Sequence, residues 1–575
     1  MRKTIEVETV AEAYLSLLAE RGIDWLFANG GTDFAPMVEG LAAIEAKSRT
    51  PRLKVVSVGH ENVAMAMAHG YYLMTGRPQA VMFHVNVGTA NGINALADAA
   101  RDQVPILFTA GRSPLTERGQ RGARDTGIHW AQEMFDQAGM VRELCKWDYE
   151  LRSGDQLEDV VDRALEIATS EPCGPVYLSL PREVLSAPMA RFSFETAPRR
   201  GLGTSPGAAP EAVERAAAIL AAAERPLIIA RAHARLAADA AALAEFAERF
   251  AFPVIEFRAL ANALPSDHPM LLGFDPLPAL GEADAILCIE TDVPWIPVHH
   301  GEPAPGCRVI QLGVDPLFRR LPIRSFPCDV AVTGTPAVAL PALAQALAGR
   351  IPPATIAARR QRLAQGRERA AAETASTLAR AASARPLHPA WASHCIARAK
   401  PADALLVNEY PLLLSYAAFP QPRSYFGTPT AGGLGWGIGA AIGAKLAAPD
   451  RVVIATLGDG AYMFGNPTAG HQVLRALDLP VLFVIFNNAM WEEVGRAALS
   501  VFPDGHAARA NRIPVADLGP AAAYEHMMAV YGGHGERVEA PADLPAALDR
   551  ALHAVTVEKR QALLNLIVGR RGARP

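Results

Sequence analysis

Short apolar runs, each closed by Gly, Pro or polar residues, alternate along the chain with stretches whose apolar residues recur at helical spacing. Residues 55–58, 80–84 and 105–110 form a first group of runs, 226–230, 285–290 and 308–313 a second, and 404–407, 452–457, 481–486 and 562–568 a third. Apolar runs of this length predict strands buried on both faces, and their alternation with helices predicts parallel sheets covered by helices. Two polar or Pro-rich stretches divide the groups. The first is 186–209, with Pro198-Arg199-Arg200-Gly201 and Ser205-Pro206-Gly207; the second is 351–389, opened by Pro352-Pro353 and filled by an Ala/Arg/Glu-rich helix that gives out near Ala382, before Pro386. The expected fold is α/β, with three doubly wound parallel-sheet domains at residues 1–185, 206–350 and 385–575.

Composition changes this picture little. With 575 residues, half of them hydrophobic, the chain can bury several cores. A formal charge of −4 and the lack of a basic stripe with interleaved aromatics exclude nucleic acid as a partner. The start, Met1-Arg2-Lys3-Thr4-Ile5-Glu6, has no apolar signal core, and later apolar runs break before membrane-spanning length. A cytoplasmic protein is expected, with no membrane partner. The six cysteines, Cys145, Cys173, Cys288, Cys307, Cys328 and Cys395, show no Cys-x-x-Cys spacing and read as reduced core residues.

Candidate chemistry gathers where strands end. Gly458-Asp459-Gly460 closes the run at 452–457, and Asn487-Asn488 closes the run at 481–486. In an open parallel sheet, ligands sit beyond the carboxyl ends of strands, so both clusters are expected at one sheet edge. A carboxylate, an amide oxygen and glycines that admit a phosphate to the backbone describe a Mg²⁺ site beside a diphosphate.

The Gly-Asp-Gly to Asn-Asn pattern resembles the cofactor motif of thiamine-diphosphate-dependent enzymes of the acetolactate synthase and benzoylformate decarboxylase type. The resemblance spans essentially the whole chain and implies a pyrimidine-binding domain first, a central Rossmann-like domain second and a diphosphate-binding domain last. It implies Asp459, Asn488 and the main chain of Met490 as Mg²⁺ ligands, with Gly458, Asp459, Gly460 and Met490 at the diphosphate. In Gly59-His60-Glu61-Asn62-Val63-Ala64 it makes Glu61 the carboxyl that activates the cofactor, generating the ylid that attacks the substrate. Leu434, in Thr428-Pro429-Thr430-Ala431-Gly432-Gly433-Leu434-Gly435, matches the residue that wedges the cofactor into its bent shape. Asn408 and Glu409 lie where relatives begin to grip the diphosphate, although Pro411 departs from their hydroxyl-rich version.

Other segments bear on the branch. His84, in Phe83-His84-Val85-Asn86-Val87-Gly88-Thr89-Ala90-Asn91, looks like the His-x-x-x-Gly-Thr-x-Asn segment of benzoylformate decarboxylase and is the first candidate acid/base. His299 and His300, after Asp292-Val293-Pro294-Trp295, resemble the region of that enzyme's second histidine. Thr32, after Asn29-Gly30-Gly31, matches the serine that contacts the substrate carboxylate; Gly30 replaces the usual proline. No adjacent His pair follows Gly111, which argues against the pyruvate-decarboxylase branch, whereas Gln132-Glu133 is similar to acetolactate-synthase-like proteins. The turn Ala230-Arg231-Ala232-His233 lacks a dinucleotide fingerprint, so FAD is possible but unsupported.

These features imply a homodimer or homotetramer with its active site between subunits, acting on a 2-oxo acid. The expected reaction is non-oxidative decarboxylation through ylid attack and an enamine. The alternatives are an acetolactate-synthase-like carboligase or 2-hydroxyacyl-CoA lyase, in which an aldehyde or other carbonyl acceptor captures the enamine, and an inactive regulatory homologue.

Overall fold

Every apolar run singled out above forms a strand. The computed structural model describes residues 1–47, 52–197, 207–232, 236–277 and 279–569. Pro198-Arg199-Arg200-Gly201, Ser205-Pro206 and His233 lie outside the described residues. The chain divides into two compact units, one of Met1–Thr204, Pro429–Pro449 and Met463–Leu477, the other of Ser205–Thr428, Asp450–Tyr462 and Asp478–Pro575.

The first unit carries a six-stranded sheet in the order Lys54–Ser57, Trp25–Asn29, Gln79–Phe83, Ile106–Arg112, Val176–Pro181, Asp148–Glu150. All its pairings are parallel. Gln79–Phe83 and Val176–Pro181 are buried throughout, as continuous apolar runs in a parallel sheet should be. An antiparallel ribbon, Arg2–Glu6 with Arg191–Glu195, is an addition to the expected parallel sheets. Its second strand corrects the reading of 186–209 as linker. Phe192 and Phe194 alternate with polar residues and bury into the first core, while their pairing partner stands at the opposite end of the segment, where local pattern cannot reveal it.

The helix Glu61–Thr75 is buried nearly all round, and small residues let it touch the helix Trp436–Ala447 backbone to backbone. A Cβ on Gly443 would stand 2.1 Å from the Met67 carbonyl oxygen, and one on Gly70 would stand 2.2 Å from that of Ala440. Gly→Ala inside a helix ordinarily stabilises by about 0.5–1 kcal/mol. Here the clash is with backbone that cannot swing away. Gly443→Ala is therefore expected to destabilise by about 1–3 kcal/mol, read as a lower urea midpoint; an unchanged or raised midpoint would show that the helices have room to part.

The second unit carries two more six-stranded parallel sheets. One runs Leu271–Gly273, Val254–Glu256, Pro226–Ala230, Ala285–Ile289, Arg308–Gly313, Val330–Thr333; the other runs Tyr425–Phe426, Leu405–Glu409, Val453–Gly458, Leu482–Asn487, Ala562–Ile567, His534–Val538. The long polar helix expected after the central sheet is Pro353–Ala381, with only Arg359, Leu363 and Ala381 buried. All six cysteines are free; four are buried, but Cys307 is half-buried and Cys328 exposed, so these two depart from the expected core placement. Among the described residues no helix is long and apolar enough to cross a membrane.

Each six-stranded sheet reverses its strand order at one inner strand pair, and such a reversal opens a crevice at the carboxyl edge. The crevices fall between Trp25–Asn29 and Gln79–Phe83, between Pro226–Ala230 and Ala285–Ile289, and between Leu405–Glu409 and Val453–Gly458. Non-glycine residues with positive φ cluster just past these strand ends: Val85 at 33°, Glu290 at 48°, Tyr410 at 81° and, one strand further along, Ala489 at 57°. For a β-branched residue such as Val85 this conformation costs about 1–3 kcal/mol and marks a place where the fold constrains its chain for a purpose.

Candidate active site

In the first unit, Asn29 pairs with Phe83 and Phe83 with Ala110, so the turns after these strands lie side by side. The first turn supplies Thr32 and Asp33, the second His84. Asp33 Oδ1 accepts from His84 Nδ1 at 2.5 Å, and Asp33 Oδ2 from the Val85 N–H at 3.4 Å. The neighbours are cut to fit this pair: a Cβ on Gly31 would stand 2.2 Å from His84 Nδ1, and one on Gly111 1.7 Å from Asp33 Oδ2. The Asp33 hydrogen bond holds His84 above the ordinary imidazole pKa; burial opposes this, and the charges of Asp33 and Glu61 add to the rise. The Gln132 amide lies 3.3 Å from His84 Nε2.

Glu61 begins its helix at the N-terminus, where a carboxylate meets the positive end of the dipole. His60 caps the helix, its Nδ1 accepting from the Asn62 N–H at 3.2 Å. Glu61 is 8% exposed, and Asn91 Nδ2 donates to its Oε2 at 2.5 Å. Leu434 stands at the same end of the packed helix pair, its carbonyl accepting from Asn94 Nδ2 at 3.0 Å and Asn62 Nδ2 at 3.4 Å. Its loop is tied down by Asp98, which accepts from the Gly433 N–H, and Asp102, which accepts from the Thr430 N–H, both at 2.9 Å. Thr32, Glu61 and His84 are thus neighbours in one unit, and Leu434 is fixed beside Asn62.

In the second unit, Gly458 pairs with Phe486, which sets Asp459 beside the turn that follows Asn487. Asp459 is 2% exposed. Its Oδ1 accepts from the Gly460 N–H at 2.9 Å, while Oδ2 is buried without a hydrogen-bond partner. Burial pushes its pKa up to about 6, partly offset by the backbone amides of Gly460, Ala489 and Met490. Asn488 Nδ2 donates to Glu492 at 2.9 Å, and its Oδ1 accepts from the Met490 N–H at 3.0 Å. Trp491 lies over Gly460, where a Cβ would meet the indole at 2.5 Å.

A buried carboxylate oxygen with nothing to bind is what a metal ligand looks like without its metal, and Asp459 Oδ2 fits that description. No group of three or more His, Cys, Asp or Glu side chains suited to a metal occurs among the described residues. One carboxylate with amide and main-chain oxygens suits Mg²⁺, which takes few protein ligands when a substrate or cofactor phosphate supplies the rest.

Other expected site residues are placed differently. Asn408 is 4% exposed and spends its amide on the fold, donating to Tyr425 Oη at 3.1 Å and accepting from the Leu412 N–H at 3.0 Å and Thr456 Oγ1 at 2.9 Å. Glu409 is fully buried at its strand end. His300 Nδ1 accepts from the Ile296 N–H at 2.8 Å, its Nε2 lies 3.4 Å from Asp275, and its ring packs edge-on against Phe257. These contacts hold His300 within the central sheet's loops. His299 is exposed at the end of a four-residue helix, with the His300 ring 6.4 Å away. Among the described residues, no hydrogen bond, ion pair or ring contact given for either histidine reaches Asp459 or Asn488.

The sequence alone assigns no role to Asp33, to Asn91 or to the buried His129, whose Nε2 lies 3.2 Å from Thr32 Oγ1. Asp33 had one signal, its place directly after Thr32. His129 had none, since residues 113–140 form an irregular segment without periodicity.

Models of the thiamine pyrophosphate enzyme domains match most of the chain: the N-terminal TPP binding domain at residues 8–140, the central domain at 213–343 and the C-terminal TPP binding domain at 410–565. A probable 2-ketoarginine decarboxylase, AruI, of Pseudomonas aeruginosa is 30% identical over 490 residues, covering 84% of this chain and 82% of the relative. The acetolactate synthase large subunit IlvG of Mycobacterium tuberculosis is 27% identical over 544 residues, covering 93% and 92%. A benzoylformate decarboxylase structure from Polynucleobacter necessarius shares the fold, with a TM-score of 0.77 at 21% identity over 99% of this chain and 100% of that one. The chain belongs to the thiamine pyrophosphate enzyme family and is a thiamine-diphosphate-dependent decarboxylase or carboligase.

Proposed function

We propose that this enzyme releases CO₂ from a 2-oxo acid without oxidation, in the manner of a benzoylformate decarboxylase, and that His84 moves the protons. The observation that carries this reading is the Asp33–His84 pair at the first crevice, 2.5 Å between donor and acceptor. Bound thiamine diphosphate supplies a carbon nucleophile and an electron sink. Glu61 shares a proton with the cofactor's pyrimidine ring; a nearly buried carboxyl held by Asn91 suits that task. Asp33 fixes His84 through Nδ1, and Nε2, beside the Gln132 amide, is the nitrogen assigned to give or take the substrate proton. Mg²⁺ is assigned to Asp459, Asn488 and the Met490 main chain, and Gly458 and Gly460 admit the diphosphate to the backbone. The Leu434 side chain would hold the cofactor in its bent shape, and Asn408 and Glu409 are assigned to the grip on its diphosphate.

The test is a panel of 2-oxo acids incubated with thiamine diphosphate and Mg²⁺, following CO₂ and products with and without an aldehyde acceptor. Benzoylformate, pyruvate and 2-ketoarginine belong in the panel, the last because a relative carries that activity in its name. The proposal expects CO₂ and the matching aldehyde without any acceptor. The carboligase reading has one observation in its favour, Gln132 at 3.3 Å from His84 within the acetolactate-synthase-like Gln-Glu; it expects ligated product and little turnover until the acceptor is added.

We propose further that subunits share the site. The Asn62–Leu434 contact lies within one chain, so the groups to separate are Glu61 and Asp459. Mixing inactive Glu61→Ala and Asp459→Ala proteins under subunit exchange should restore part of the activity, whereas none after verified exchange would place both groups in one chain.

A further inference from the structure

We infer that His129 positions the substrate carboxylate through Thr32: it makes the Thr32 hydroxyl an acceptor and thereby turns that hydroxyl's own hydrogen outward, beside His84. The inference rests on the decarboxylase reading for the identity of its ligand, a 2-oxo acid.

His129 lies in the short helix Ile128–Ala131, is 2% exposed, and has a partner at each ring nitrogen. The Asp125 backbone N–H donates to Nδ1 at 3.2 Å. A neutral imidazole nitrogen that accepts carries no proton, so the proton sits on Nε2, 3.2 Å from Thr32 Oγ1. The surroundings of the ring disfavour a second proton. Arg182, Arg124 and His84 oppose it, and burial, the largest influence, pushes the pKa below the ordinary value. Asp125 alone favours it, with Oδ1 3.3 Å from Nδ1, but that carboxylate is mostly exposed and its Oδ2 is engaged by Arg182 at 3.1 Å.

A hydroxyl that accepts from His129 must point its hydrogen elsewhere. Thr32 is exposed at the carboxyl edge of the sheet, and the adjacent Asp33 holds His84 with an N–H at Nε2 whenever the ring is charged. Thr32 then offers an O–H at the crevice that His84 also lines, a donor suited to a carboxylate. The two histidines are paired to consecutive residues, and their surroundings shift their pKa values in opposite directions, which separates a binding role at His129 from an acid/base role at His84.

The experiment compares the wild-type holoenzyme with His129→Ala, His129→Gln, Thr32→Val and the Thr32→Val/His129→Ala double variant. Benzoylformate is the substrate, and benzaldehyde, which lacks the carboxylate, is the competing inhibitor. His129→Ala and Thr32→Val should each raise KM for benzoylformate about tenfold, the loss of one hydrogen bond to a charged group. Their kcat should stay within a few-fold, and benzaldehyde inhibition should not change. The double variant should be no worse than either single one, and His129→Gln, which keeps an N–H, should stay near wild type. An unchanged KM in His129→Ala, multiplying effects, or equal weakening of benzaldehyde would overturn the inference. ¹⁵N NMR of the imidazoles, assigned against His129→Gln, should find His129 neutral with its proton on Nε2 at pH 7; the other tautomer or an imidazolium would overturn it independently of turnover. If wild type releases no CO₂ from benzoylformate, the benzoylformate-type reading fails, while the NMR result still decides how Thr32 is held.

Discussion

Asp459→Ala should form no holoenzyme, yet leave an apoprotein at least as stable as wild type. Asp459 is the one carboxylate that the proposed Mg²⁺ site contains, and removing it leaves only neutral oxygens against a divalent ion and a diphosphate. Cofactor affinity should therefore fall by well over the roughly 10–100-fold that even outer-sphere changes at metal sites cause. Stability should move the other way. Without metal, the folded protein buries a carboxylate whose Oδ2 has no partner, and an unsatisfied buried polar group costs about 1–3 kcal/mol. The pH dependence has the same sign. With its pKa raised to about 6, the carboxyl is most compatible with the fold when protonated, and that advantage is lost as pH rises through about 6, so at pH 7 the charged form weighs against the apo fold. Gel filtration with cofactor, followed by urea denaturation of the stripped protein, reads both effects. Normal retention of thiamine diphosphate by the variant would remove Asp459 from the metal site, and a large loss of apo stability would make its role structural.

Glu61→Gln should slow hydrogen–deuterium exchange at the thiazolium carbon of the bound cofactor by about two to four orders of magnitude, the span of an essential acid/base. The substitution keeps the shape of a side chain that is 8% exposed and retains an oxygen for the Asn91 amide, so folding and cofactor retention should persist. What it removes is a carboxyl able to share a proton. An unchanged exchange rate would refute the role of Glu61 however poor the overall turnover.

The parts of this molecule legible in its sequence are those fixed by local chemistry. Runs such as 481–486 are buried on both faces and read as strands because little else accommodates continuous apolar residues between turns. Glu61, His84 and Asp459 stand out as candidates because each lies at or just past the end of such a run, where a parallel sheet places its ligands. Elements that depend on distant partners were not. Asp148–Glu150 and His534–Val538 are polar and only partly buried, and they become strands by pairing at sheet edges. The same limit applied to the site. His299 and His300 were read from a neighbouring motif, but Phe257 and Ile296 hold His300 in its own loop. His129 reaches Thr32 only because the fold brings an irregular segment back over the first crevice. The place of Asn408 after a strand points to the diphosphate, and the fold adds what the strand alone does not show, that Tyr425, Leu412 and Thr456 take up its amide.

Proton transfer by His84 is tested by the initial rate of CO₂ release by His84→Ala holoenzyme on the preferred 2-oxo acid, with bound thiamine diphosphate quantified in the same sample. Cofactor content should match wild type, because His84 is assigned to the substrate's protons and not to the cofactor's anchorage. Turnover should fall by about two to four orders of magnitude, as for other general acids and bases. Near-normal turnover at full cofactor occupancy would contradict the decarboxylase reading and leave the carboligase, which requires no histidine at that position, as the better account.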